Sequence, residues 1–217
     1  CTSAEQLNAL SAEQKAQLTA LYCPNIGITT LDLSEFPNLE ELDCSRNNIT
    51  VLGTDQCQKL RTLVCNNNQL TALNLSGNTQ LTNLNCSNNK FNTLDVSNCA
   101  NLRNLVCYRE TGYTYLTTLN ISGCTNLQTL DCKNNLLSQL NISSCTNLET
   151  LICNSNSLST LNVSSCTNLQ TLYCESNSRL SNLNLRGFTK LRTLSCAYTN
   201  LTELDLSGCT NLVTLEC

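Results

Sequence analysis

Leucines recur along this chain at a 21-residue interval: Leu18, Leu39, Leu60, Leu81 and Leu102, then Leu127, Leu148 and Leu169, then Leu191 and Leu212. The unit that opens at Leu102 carries four extra residues, and the one at Leu169 carries one. Nine units are complete and a tenth begins at Leu212. Each unit starts L-x-x-L-x-C, an alternation of period two that predicts a short strand with one face buried. Its second half, for example TLNVSSCTN at residues 160–168, is rich in Asn, Ser, Thr and Val. These are poor helix formers, and the L-x-[LIV] alternation predicts a second extended segment. No single unit can bury its own leucines, so the units must stack, each against its neighbours, with strands about 4.8 Å apart.

The ends depart from this pattern. Ser3-Ala-Glu-Gln6 and Ser11-Ala-Glu-Gln14 each have the S-x-x-Q form of a capping box. Leu7 and Leu10, then Leu18 and Leu21, follow at helical spacing. We read residues 1–17 as a linker and helical cap over the open end of the core, a short helix followed by a longer one. Residues 18–217 are the solenoid, with an insertion near 108–115. The chain stops at Cys217, inside the strand of the tenth unit, where an uncovered edge is unfavourable. Further repeats or a partner are therefore expected to cover that edge.

Leu81 to Asn101, LTNLNCSNNKFNTLDVSNCAN, shows the unit well. Its first eleven positions resemble the leucine-rich-repeat signature L-x-x-L-x-L-x-x-[NC]-x-L, with Cys in place of one Leu. The resemblance runs from Leu18 to Cys217, and the unit is most similar to the short 21-residue repeats of bacterial surface proteins of the Bacteroidetes type, more distantly to internalins. It implies a leucine-rich-repeat solenoid: a β-rich right-handed coil with a parallel concave sheet, little or no convex α-helix and a short N-terminal helical cap. It also implies that the position 9 asparagines (Asn47, Asn68, Asn89, Asn135, Asn156, Asn177) point inward and satisfy backbone groups at the turn. The function it implies is macromolecular binding through the concave face, in a bacterial cell-surface or secreted protein.

Composition narrows the chemistry. Of 17 cysteines, ten occupy position 6 of the unit and six occupy position 19, where Phe36 and Phe188 stand in other units. Both positions face inward, so these cysteines read as small buried apolar groups. Bridging equivalent residues on in-register strands would strain a disulfide. The chain has no His and no C-x-x-C pair, which argues against a zinc site and against Ser-His or Cys-His catalysis. Asp43, Asp131 and Glu175 lie several units apart, too far for a carboxylate pair. We therefore expect no enzyme, cofactor or metal. A net charge of -4 with 13% charged residues leaves no footprint for nucleic acid, and no apolar run is long enough to form a transmembrane segment. The opening Cys-Thr-Ser, in a chain without Met, reads as a processed form or a fragment. It resembles the start of a mature bacterial lipoprotein, which makes Cys1 a candidate lipid attachment site. Thr recurs at position 3 but is interrupted by Glu41, Asn83 and Asn104, so a structural, matrix or ice-binding solenoid is the weaker alternative.

Function is then left to the departures from the repeat. Positions 3, 5, 7 and 8 face outward. The three Phe take interior positions, while the six Tyr fall on this face or the adjoining loop: Tyr22, Tyr108, Tyr113, Tyr115, Tyr173 and Tyr198. Tyr and Arg are favoured at binding hot spots. Val64, Val106 and Ile152 add apolar outward positions, and Asp131, Lys133 and Glu175 add charge. The insertion YRETGYTY contributes Arg109 and Glu110 and drops the turn asparagine. These fourteen residues are the candidate ligand site, for a protein or peptide, with glycan as a second ligand class.

Overall fold

A computed structural model describes residues 1–110 and 115–217. It contains ten three-residue strands in one parallel sheet: β1 (Ala20–Tyr22), β2 (Glu41–Asp43), β3 (Thr62–Val64), β4 (Asn83–Asn85), β6 (Asn104–Val106), β8 (Thr129–Asp131), β9 (Thr150–Ile152), β10 (Thr171–Tyr173), β11 (Thr193–Ser195) and β12 (Thr214–Glu216). Their order in space is their order in sequence. Leu21 pairs with Leu42, Leu42 with Leu63, and so on to Leu194 with Leu215. The four-residue insertion leaves this register intact, because Leu105 still pairs with Leu130.

The interior is a set of parallel columns, one side chain per coil. The central strand leucines from Leu21 to Leu194 are buried, as are Phe36, Phe91 and Phe188. Leu215, at the end of the stack, is 44% exposed. Fourteen of the cysteines are buried and all seventeen are unbridged. Desolvation holds their thiols protonated: Cys57 and Cys99 are pushed up to about 11, and Cys86 and Cys174 to about 12. A thiol must ionise to react. In unlipidated, native protein at pH 8, we therefore expect iodoacetamide to label Cys1 and Cys217 quickly, half-buried Cys209 slowly, and the rest only after denaturation. Fast labelling of more than about four thiols by mass spectrometry would contradict a closed core.

Cys1 lies outside the sequence pattern but joins it in space. Its amine donates to Tyr22 O at 2.6 Å, the same bond that Cys23 N makes to Asp43 O at 2.8 Å and Cys44 N to Val64 O at 2.9 Å. Cys1 N thus takes the place of a position 6 amide and satisfies the Tyr22 carbonyl on β1.

Most turns after a strand share one construction. The position 8 residue adopts a left-handed backbone, with φ near +55° at Arg46, Asn67, Asn88 and Asn134. The position 9 asparagine then plugs the turn. Asn47 Nδ2 donates to Cys23 O (2.9 Å), Cys44 O (3.0 Å) and Ser45 O (3.2 Å), and its Oδ1 accepts from Ile26 N and Ile28 N. Asn68, Asn89, Asn135, Asn156 and Asn177 repeat the pattern. One amide, both donor and acceptor, so joins two coils. In the ninth coil Thr199 stands at this position and donates only to Cys196 O.

The second half of the unit departs from expectation. Among the described residues it forms strands in two coils only, β5 (Thr93–Asp95) and β7 (Thr118–Asn120), which pair in parallel. An Asp or Asn stands at position 15 in most units. Its side chain accepts from the amide two residues on, as Asp32 does from Ser34 and Asn162 from Ser164. The same Asx turns close β5 and β7, at Asp95 and Asn120, so they bend the chain in both kinds of coil and do not decide which coils form a strand. Gly123, where the long coil rejoins the stack, is needed for close approach: a Cβ there would lie 2.0 Å from Ser97 O.

Two short helices precede β1: α1 (Ala4–Asn8) and α2 (Ala12–Gln17). Ser11 forms a full capping box, whereas at Ser3 only half of it forms, because Gln6 Oε1 is engaged by Thr2. Leu7 is buried on the core, and Leu10 and Leu18 pack against it. Sequence reading also missed a buried polar pair. Thr54 and Asn78, where neighbouring coils carry aliphatic residues and Cys, are both fully buried. They hydrogen-bond each other at 2.6 Å, and Asn78 Nδ2 also donates to Thr54 O and Cys57 O.

Candidate binding face

The register sets the geometry of the sheet's outer surface. Position 5 places Val64, Asn85, Val106, Asp131, Ile152, Tyr173 and Ser195 side by side. Position 7 places Tyr108, Lys133 and Glu175 along the neighbouring row. Val64, Val106, Ile152, Tyr173, Tyr108, Lys133 and Glu175 are all half-buried. This is the state of side chains packed flank to flank on a sheet with their tips in solvent.

Within the row, Lys133 Nζ sits 4.7 Å above the centre of the Tyr108 ring and 3.7 Å from Asp131 Oδ2. Asp131 Oδ1 also accepts from Lys133 N at 3.3 Å. Asp131 is only 9% exposed, so its expected place on the open surface is corrected. Val106 and Ile152 lie on either side, and burial raises its carboxyl pKa even beside Lys133. It positions Lys133 and offers little to a ligand. Glu175 Oε2 is buried with no hydrogen-bond partner among the described residues.

Arg109 is also redirected. The insertion has no turn asparagine, and the Arg109 guanidinium fills that gap, donating through Nη1 to Asn89 O. Around it is a recess of about 10 Å³, lined by Phe91, Cys107 and Leu116, about the space of one water. Glu110 stays exposed, and its amide donates to Asn88 Oδ1 at 2.8 Å. Tyr115 is 37% exposed at the base of the insertion. Tyr113 lies outside the described residues.

Among the described residues Tyr22 and Tyr198 are the most exposed tyrosines, at 51% and 83%. They are eight coils apart, roughly 40 Å at the strand spacing, so no small ligand reaches both. Tyr22 also donates to the Glu41 carboxylate. Val106, Tyr108, Lys133, Ile152, Tyr173 and Glu175 therefore form one central cluster across four coils, and Val64, Tyr22 and Tyr198 lie away from it.

One exposed residue was missed. Leu136 is 50% exposed at position 10, where other coils carry Asn48, Gln69, Lys90 or Ser157. The Leu-Leu pair at 136–137 was the available signal.

Among the described residues no group of His, Cys, Asp and Glu could hold a metal, and no helix is long and apolar enough to cross a membrane.

Comparison with known proteins agrees with this construction. Residues 37–78 match the family profile for leucine-rich repeats in two copies. The functional domain of InlJ from Listeria monocytogenes, described as including a cysteine ladder, is 32% identical over 95% of this chain and 55% of that one, with a TM-score of 0.77. The chain belongs to the leucine-rich-repeat family. A second leucine-rich-repeat protein, from Leptospira interrogans, is 26% identical over 85% of this chain and 50% of that one, with a TM-score of 0.70. No curated protein sequence matches. The solenoid spans about half the length of both solved structures it resembles. Its position 6 column (Cys23, Cys44, Cys65, Cys86 and onward) is likewise a continuous ladder of buried cysteines.

Proposed function

We propose that this solenoid is the binding module of a bacterial cell-surface or secreted protein, and that it recognises a protein or peptide through its concave sheet. The observation that carries this reading is the central cluster. Val106 on β6 flanks Asp131 on one side, Ile152 and Tyr173 on β9 and β10 continue the half-exposed row on the other, and Lys133 is held over Tyr108 beside it. Aromatic and cationic groups fixed on a rigid sheet lose little entropy on binding, which favours them as contact points. The same Tyr faces could stack on sugar rings, so glycan is the second ligand class. Cys1 is the proposed point of lipid attachment, with its thiol exposed beside β1.

The alternative, a structural or ice-binding array, rests on Thr129, Thr150, Thr171, Thr193 and Thr214, adjacent on β8 to β12. Asn83, Asn104 and Glu41 break that row in the other half of the sheet, and Val106, Ile152 and Tyr173 have no place in it.

Photo-crosslinking tests the reading. Benzoylphenylalanine in place of Tyr173 should capture a discrete surface protein from intact cells of the natural setting, whereas the same probe at exposed Thr160, off the sheet, should not. Equal capture from both positions, or capture from Thr160 alone, would overturn it.

A further inference from the structure

Positions 7 to 10 of each unit, the turn after the strand, form one rim of the sheet. Their cations are Arg46, Lys90, Arg109, Lys133 and Arg179, against Glu110 and Glu175. Positions 12 to 18, on the far side of each coil, are the reverse: Asp32, Asp55, Asp95, Glu203 and Asp205 are among their carboxylates and Arg186 is the sole cation. In a chain of net charge -4, the rim is a local reversal of sign, and such a segregated surface steers a partner of opposite charge.

The rim also carries the one break in the polar character of position 10. Tyr115 and Leu136 occupy that place in successive coils, and the Leu136 amide donates to Leu116 O at 2.9 Å, which sets the two residues at the same level in neighbouring coils. They are 37% and 50% exposed. Lys90 is exposed one coil before them. Burial lowers the Arg109 pKa.

We propose that Tyr115 and Leu136, framed by Lys90 and Lys133, are the docking point for an acidic protein segment bearing an apolar side chain. The apolar group covers the Tyr115–Leu136 pair while flanking carboxylates meet the cations. The pair is too small to hold a partner by burial alone, so charge must contribute, and binding weakens with salt. Lys90 and Lys133, two coils apart and interleaved with Glu110 and Asp131, match scattered carboxylates and not a continuous phosphate backbone. This inference rests on the chain being a protein-binding module, and it adds a second contact, on the rim, to that of the sheet.

The test is selection of phage-displayed random 12-residue peptides on the full chain at about 50 mM salt, where surface charges are weakly screened. Enriched sequences should pair Asp or Glu with a Leu, Ile or Phe. The leading peptide, followed by fluorescence anisotropy, should bind about ten-fold more weakly to Leu136→Ser and to Lys90→Glu, and several-fold more weakly at 300 mM salt. Both residues are exposed, and unchanged thermal melts establish that the variants fold. Basic or uncharged winners overturn the proposal, as does binding that Leu136→Ser leaves intact. A peptide lost in Tyr173→Ser but kept in Leu136→Ser would sink the rim and leave the sheet-face reading standing. A selection that enriches nothing counts against both.

Discussion

Raising the pH from 8 to 10 in reducing buffer should unfold this protein. Fourteen thiols are buried, and those of Cys57, Cys99, Cys86 and Cys174 are held at about 11 to 12 against an ordinary 9.0. The cause in each case is desolvation, which disfavours the thiolate. The stabilisation is complete below pH 9, where folded and unfolded chains are both protonated. Above 9 the unfolded chain releases protons that the fold retains, so stability falls until the pH reaches the folded values. At pH 10 each buried thiol costs about 1 kcal/mol, and the set costs on the order of 10 kcal/mol, comparable with the whole stability of a domain. Circular-dichroism melts between pH 7.5 and 10.5 should show the melting temperature dropping by tens of degrees, with a slope equivalent to roughly ten protons at pH 10. Replacing Cys99 and Cys124 by Val should reduce that slope by about two protons. A slope of fewer than about three protons would mean that the ladder is oxidised or open to water.

The second large effect is expected at the turn asparagines. Asn156 Nδ2 donates to Cys132 O (3.1 Å), Cys153 O (3.0 Å) and Asn154 O (3.3 Å), and Oδ1 accepts from Leu137 N (3.0 Å). Asn156→Ala would strip these partners from backbone groups in two coils. Each orphaned buried group costs roughly 1–3 kcal/mol, and water reaches some of them, so we expect a loss of about 3–5 kcal/mol by urea unfolding. Asn156→Asp keeps the shape but removes both donors and places a carboxylate against the Cys132 and Cys153 carbonyls. It should cost at least as much at pH 7. A loss below about 1 kcal/mol in both variants would show that the plug is dispensable.

These two effects come from the parts of the molecule that the sequence made most legible. A side chain repeated ten times at one spacing has the same environment each time, so the leucines, cysteines and turn asparagines could be placed without coordinates. What could not be read depended on neighbours outside the repeat. Asp131 shares its position with Val106 and Ile152, and only the register shows those two covering it. Arg109 looked like a surface cation, but loss of the local turn asparagine opens a gap that its guanidinium fills. The L-x-[LIV] alternation of the second half was visible in nearly every unit, yet among the described residues only β5 and β7 pair, and the alternation does not distinguish those two coils from the rest. Thr54 and Asn78 each look like an error in the pattern, and become a matched pair only when position 16 of one coil is set against position 19 of the next. Leu136 was hidden for a related reason, since one leucine among many leucines carries no signal unless its position is counted.

The central claim is that the repeat is scaffold and that recognition belongs to the departures from it on the sheet and its rim. The most direct test is the affinity of the protein captured from Tyr173, measured against three versions of the full chain. Tyr108→Ser with Tyr173→Ser should bind at least about thirty-fold more weakly, as expected when two contact tyrosines are removed. Thr160→Arg with Asn182→Arg, on the outer side of the coils, should bind like the parent. Loss of binding in the outer variant, with the tyrosine variant unaffected, would contradict the account.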